Sequence, residues 1–285
     1  MFDESRVAVA ANPVVELLVA EAAGPSERTL LVIHGGPDWD HTYLRDPLGE
    51  LGGTHRLLLP DLRGCGRSTR GLPEDQYSWD LIVADLLALL DHVGVRRADV
   101  LGFSTGGLVA QRLALAAPTR VRRLIVASSS VFPVPTNAFN GWQDRSRRQA
   151  EATRQEPDPT DLSGPELTRA WATTSASMNV WRADRQPEYL GRLDAVHFSG
   201  DWARVWLSGE LSSARPQDAA ARLRKTAVPI LLLHGRQDMI FPMHLAEQAA
   251  VEIPTARAAV LDDAGHMAHI DRPEAWLSAV ATFLA

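Results

Sequence analysis

Few residues of this 285-residue chain could make or break a covalent bond, and three of them stand in a telling order. Ser104 lies in Gly102-Phe103-Ser104-Thr105-Gly106. That G-x-S-x-G spacing is the one used by a nucleophile elbow, a sharp strand-to-helix turn that lifts the serine hydroxyl into the open. The flanking glycines answer a steric demand, because a Cβ there would collide with the neighbouring helix and strand. A hydroxyl is a weak nucleophile until a base takes its proton, so an elbow requires a histidine and an acid to orient it. On such a scaffold they follow in the order Ser, Asp or Glu, His. Asp238 ends the run "ILLLHGRQD", and His266 follows Gly265 in "LDDAGHMAHIDRP". The set predicts acyl-transfer chemistry, with Ser104 as nucleophile, His266 as general base and Asp238 as the acid that orients it.

Composition alone would yield a bare G-x-S-x-G in roughly one chain in ten of this size, so the weight rests on its place between a strand pattern and a helix pattern. The helix that starts after Ser104 also favours negative charge beside its N-terminus. A second loop, "HGGPDWDHTYL", follows another apolar run. It is expected to offer one backbone N–H to a developing oxyanion while Thr105 offers the other. Pro37 has no N–H, so the donor is Gly36, with Gly35 as the alternative. Asp262 and Asp263 sit too near His266 in sequence to be the preferred acid. His34 reads as a brace for its loop, His244 and His269 as packing or surface residues, and Ser128 to Ser130 as a strand end.

The elements that must hold these residues alternate between buried strands and amphipathic helices, the rhythm of a mostly parallel sheet. Strand patterns cover 29–36, 55–61, 98–103, 121–129, 228–235 and 256–264. Helix patterns cover 78–95, with Ser78 as N-cap, 105–117, stopped at Pro118, 243–253, and the stretch from Pro273 onward. Ser104, Asp238 and His266 each fall just past a strand end on one edge of that sheet, where open α/β sheets bind ligands. The rhythm fails across 131–215. A structureless stretch of that length inside a domain is improbable, so it is expected to be a mainly helical cap. Core segments 1–130 and 216–285 then flank it.

The cap carries Trp142, Trp171, Trp181, Trp202 and Trp206. With Trp39 and Phe103 they are the candidate substrate-binding residues, and they predict a bulky apolar or aromatic group, although several of these rings are expected only to bind cap to core. Hydrophobic residues at 45% and charged residues at 22% exclude a disordered chain. A formal net charge of -6 offers no basic footprint for nucleic acid or an anionic membrane. A small-molecule substrate fits better. The acidic, interrupted N-terminal residues do not read as a signal peptide, and no apolar run approaches the ~18 residues of a membrane span, so a cytoplasmic protein is expected. The single cysteine, Cys65, excludes an internal disulfide and leaves no Cys cluster for zinc.

Together, Ser104, Asp238, His266 and the loop "HGGP" resemble the α/β-hydrolase superfamily with a serine nucleophile. "HGGPDWDHTYL" followed by "LPDLRGCGRS" resembles its proline iminopeptidase branch. The resemblance covers the core on both sides of the cap and does not extend through the cap. It implies an α/β-hydrolase fold and a serine hydrolase that cleaves an ester, thioester or amide through an acyl-enzyme, with no metal and no organic cofactor. The chain departs from that branch at Asp38, where the branch carries Gly, at Leu62, where it carries Gln, and in an elbow that the branch writes Gly-Gly-Ser-Trp-Gly. Aminopeptidases of the branch also hold the substrate amine with cap carboxylates. Glu151, Glu156, Glu166, Glu188 and Glu210 are candidates here, but among so many cap arginines each is expected to pair at the surface instead. Haloalkane dehalogenases and epoxide hydrolases of this fold use aspartate at the elbow, which Ser104 argues against. A proline iminopeptidase-type aminopeptidase, a biosynthetic cyclase or chain-release enzyme, and a ligand-binding receptor on the same fold stand as alternatives.

Overall fold

The leucine- and valine-rich runs become the central strands of one eight-stranded sheet in this computed structural model, which describes residues 1–156, 158 and 162–285. In chain order the strands are β1 (Asp3–Ala11), β2 (Val14–Ala22), β3 (Thr29–Ile33), β4 (Arg56–Pro60), β5 (Ala98–Phe103), β6 (Val121–Ala127), β7 (Ile230–Gly235) and β8 (Ala256–Leu261). Their order across the sheet is β1-β2-β4-β3-β5-β6-β7-β8. From β4 to β8 every pairing is parallel, and β1 and β2 add an antiparallel hairpin at one edge. β3, β5 and β7 are buried along their whole length, as a sheet covered on both faces requires.

The hairpin has no counterpart among the expected strands. β1 is an outer strand with an exposed, charged start, Asp3-Glu4-Ser5-Arg6, and β2 interrupts its apolar residues with Glu16 and Glu21. Charge on an edge strand discourages pairing with other chains, and it also hides the strand from a search for continuous apolar runs.

Helices α1 (Trp79–His92) and α2 (Thr105–Ala116) cover one face of the sheet, where their apolar residues join those of β3, β5 and β6 in one cluster. Ser78 caps α1 by accepting the Leu81 N–H at 3.3 Å. The segment between β6 and β7 folds around α3 (Gln143–Gln155), α4 (Gly164–Thr174), α5 (Gln186–Ala195) and α6 (Asp201–Leu207). Beyond β7 follow α7 (His244–Glu252), the short α8 (Ala268–Asp271) and α9 (Pro273–Leu284), whose Trp276 is fully buried in the second cluster. Among the described residues no helix is long and apolar enough to cross a membrane.

Candidate active site

Ser104 sits at the turn from β5 into α2 with φ 53 and ψ -120, a region that non-glycine residues rarely occupy. Such a conformation costs about 1–3 kcal/mol and persists only where the surroundings enforce it. They do so by close packing. A Cβ on Gly106 would lie 2.2 Å from the Ile33 carbonyl oxygen, and one on Gly102 would lie 2.2 Å from that of Gly106. Only glycines let β3, β5 and α2 converge there.

β7 leads to Asp238 and the turn after β8 to His266, and the fold brings both beside Ser104. His266 Nδ1 lies 3.0 Å from Asp238 Oδ2, and His266 Nε2 lies 3.1 Å from Ser104 Oγ. A carboxylate only accepts, so the proton belongs on Nδ1 and Nε2 is free to accept from the serine hydroxyl. Asp238 is buried, and its other oxygen accepts the N–H groups of Ile240 at 2.8 Å and Phe241 at 2.9 Å. Burial pushes this carboxyl toward its neutral form, but the electrostatic attraction of neighbouring His266 and hydrogen bonds from His234 and His266 outweigh it and hold the pKa well below the usual carboxylate range. Asp238 therefore stays ionised at neutral pH. Asp262 and Asp263 face outward, with Asp262 on Arg236 and Asp263 near Arg182 and Arg272.

The loop after β3 lies across the elbow. The Gly35 N–H donates to Tyr43 Oη at 2.8 Å, so it is already committed. The N–H groups of Gly36 and Thr105 have no hydrogen-bond partner among the described residues. Gly36 has φ +119, and its carbonyl accepts from the Thr105 hydroxyl at 2.7 Å, which ties loop to elbow. His34 braces the same loop, with Nδ1 2.7 Å from the Gly35 carbonyl and Nε2 accepting the Leu62 N–H at 3.0 Å.

Two cavities meet at Gly36 and Trp39. The smaller, about 140 Å³, is lined by Ser104, His266, Phe103, Tyr43, Asn179 and Met267 as well. The larger, about 470 Å³, opens past Thr105 and Leu108 toward the cap, and Trp39, Trp79, Trp171, Trp202 and Trp206 form its walls. Trp202 is wholly buried and stacked on Trp79 with ring centroids 4.7 Å apart, so it anchors cap to core as well as closing the cavity floor. Trp142 and Trp181 pair with each other instead, with Arg148 over the Trp181 ring, and line neither cavity. The cap glutamates line neither cavity: Glu151, Glu156, Glu166 and Glu210 are exposed, and Glu188 pairs with Arg185 and Arg192. No group of three or more His, Cys, Asp or Glu side chains among the described residues is placed to hold a metal ion.

Three buried carboxylates tie the segment between β6 and β7 to the site loops, a role that the sequence reading assigns to none of them. Asp38 Oδ1 lies 2.7 Å from Ser199 Oγ and accepts the Trp202 N–H at 3.0 Å, while Oδ2 accepts the Ala203 N–H at 2.6 Å. Asp40 accepts the His197 N–H at 3.0 Å. Asp271 accepts the N–H groups of Trp181, Arg182 and Gly265, the last at 2.8 Å, next to His266. Asp38 and Asp40 flank Trp39, so in "PDWD" both acids grip the cap while the ring between them lines the cavities. The alternation in that tetrapeptide is the one signal available beforehand.

An eight-stranded, mostly parallel sheet flanked by helices defines the class to which the chain belongs. The family model described as "alpha/beta hydrolase fold" matches residues 28–273, and the chain is an enzyme of the α/β-hydrolase fold family. It is 30% identical over 263 residues to a 2-hydroxymuconate semialdehyde hydrolase of Pseudomonas sp. (strain CF600), covering 90% of this chain and 86% of that one. The solved structure of a thermophilic esterase from Thermogutta terrifontis superposes with a TM-score of 0.75 at 24% identity, over 99% of this chain and 98% of the other. A proline iminopeptidase from Mycobacterium smegmatis superposes with a TM-score of 0.73 at 21% identity, over 99% and 97%. These two structural likenesses show the shared fold.

Proposed function

We propose that the chain is a serine hydrolase acting on a neutral, apolar small-molecule ester, with thioesters and amides open to the same chemistry. The observation that carries this reading is the continuous hydrogen-bonded chain Asp238–His266–Ser104 beside a tryptophan-walled cavity. Ser104 Oγ bonds to the carbonyl carbon as its proton passes to His266 Nε2. The N–H groups of Gly36 and Thr105 receive the oxyanion, and Asp238 stabilises the imidazolium. The carbon–oxygen bond to the leaving group breaks as His266 returns the proton to it. Water then attacks the acyl-enzyme by the same route and releases the acid.

The character of the cavities supports the choice of substrate. No arginine, lysine or glutamate lines either of them, and the one acid present, Asp38, is taken up by cap donors. Such walls offer nothing to pair with a substrate carboxylate or a free amine, and burying an unpaired charge costs several kcal/mol. The aminopeptidase reading loses its support on that ground. The protein's one cysteine, buried and unpaired, suits a reducing cytoplasm.

The test is hydrolysis of p-nitrophenyl butyrate beside prolyl-p-nitroanilide, by wild type and by Ser104→Ala. Ester turnover that the substitution abolishes, with the anilide untouched, is expected. Release of p-nitroaniline would return the peptidase reading, and silence on both would overturn the hydrolase reading of this site.

A further inference from the structure

The two cavities differ in size and in what they place around the reacting carbon, and the difference orients the substrate. A tetrahedral carbon on Ser104 Oγ carries three other groups. Its oxyanion points at the N–H groups of Gly36 and Thr105, at the junction of the two cavities. Its leaving oxygen must lie at His266 Nε2, which returns the proton, and His266 lines only the 140 Å³ cavity. The acyl carbon takes the remaining direction, past Thr105 and Leu108, into the 470 Å³ cavity. The large cavity, about 470 Å³, has more than three times the volume of the small one, about 140 Å³. Five of the 8 tryptophans in the chain line the large cavity. Flat aromatic walls of that kind give an aryl group large contact area.

We propose that the large cavity is the acyl site and the small one the alcohol site, so that the preferred substrates are neutral esters joining a bulky, aryl-bearing acid to a short alcohol. This rests on the serine-hydrolase reading above and goes beyond it by fixing which half of the ester is large. Trp39, which borders both cavities, is the wall that keeps the two halves apart.

Two isomeric esters test the assignment with the unmodified protein. Methyl 3-phenylpropanoate carries its ring on the acid, and 2-phenylethyl acetate carries the same ring on the alcohol. Both leave as simple alkoxides, so intrinsic reactivity differs little. The expected result is a kcat/KM at least tenfold higher for methyl 3-phenylpropanoate. Trp206→Ala, at a residue 60% exposed on the cap and so remote from the core, is expected to shrink that ratio at least threefold by raising KM for the phenylpropanoate. A ratio near one, a preference for 2-phenylethyl acetate, or a ratio indifferent to Trp206→Ala would overturn the assignment. Turnover of p-nitrophenyl acetate with neither isomer cleaved would also overturn it while leaving the hydrolase reading intact. Failure on all three esters would instead remove the reading on which it rests.

Discussion

Asp38→Ala would strip the cap of the carboxylate that receives the N–H groups of Trp202 and Ala203. Each buried amide left without an acceptor costs about 1–3 kcal/mol, so the pair loses about 2–6 kcal/mol. Burial raises the pKa of Asp38, a sign that its charge is itself costly to hold in the fold, and deleting it returns part of that sum. A net loss of about 3 kcal/mol is expected, which at about 2 °C per kcal/mol for a chain of this length lowers Tm by about 6 °C. Asp38 lies two residues beyond Gly36, so the loop that carries this proposed oxyanion donor should loosen as well. Losing such a donor outright costs about 10²–10³ in kcat, and a loosened one about tenfold. Differential scanning calorimetry and steady-state hydrolysis of p-nitrophenyl butyrate read the two effects. Asp38→Asn, which keeps one acceptor oxygen, should fall between wild type and alanine in both. An alanine variant that melts within about 1 °C of wild type with unchanged kcat would refute the reasoning, because the three contacts would then carry no net energy.

Other perturbations separate strain, packing and charge. Ser104→Gly relieves the φ of 53 and should raise stability by about 1 kcal/mol and Tm by about 2 °C while abolishing turnover; an unchanged or lower Tm would mean that the elbow stores no strain. Gly106→Ala places a Cβ 2.2 Å from the Ile33 carbonyl oxygen and should cost about 3 kcal/mol or more, measured by urea unfolding. The pKa of Asp238 is lowered in the fold, so its contribution is present above its unfolded value of about 4 and is lost as pH falls toward the folded value. Unfolding free energies measured from pH 5 down to pH 2 should therefore drop less steeply in Asp238→Asn than in wild type. Parallel slopes would contradict this.

The residues proposed to carry the chemistry were legible because each is tied to a local pattern. Gly102 and Gly106 frame Ser104 for a steric reason that any sequence can display, and Asp238 and His266 follow apolar runs whose ends mark the sheet edge. The inner strands were readable for the same reason: a strand covered on both faces must be apolar throughout. The β1–β2 hairpin was hidden because charged residues, on the outer strand β1 and at Glu16 and Glu21 of β2, interrupt its apolar runs. The tryptophans show the limit most clearly. Trp171 and Trp206 line the large cavity, whereas Trp142 and Trp181 pair beyond it, and nothing in their local sequences distinguishes the two pairs. Asp38, Asp40 and Asp271 were hidden for a related reason. Their partners are backbone amides as many as 165 positions away, as for Asp38 and Ala203, and an amide leaves no mark on the side-chain sequence.

The account stands on Ser104 being the atom that becomes acylated. Intact-protein mass spectrometry after exposure to phenylmethanesulfonyl fluoride, followed by peptide mapping, addresses that directly. One sulfonyl group per chain on Ser104, none on Ser104→Ala, and loss of ester turnover in step with labelling are the predicted results. Full turnover in a protein labelled at Ser104, or undiminished turnover by Ser104→Ala, would contradict the central claim.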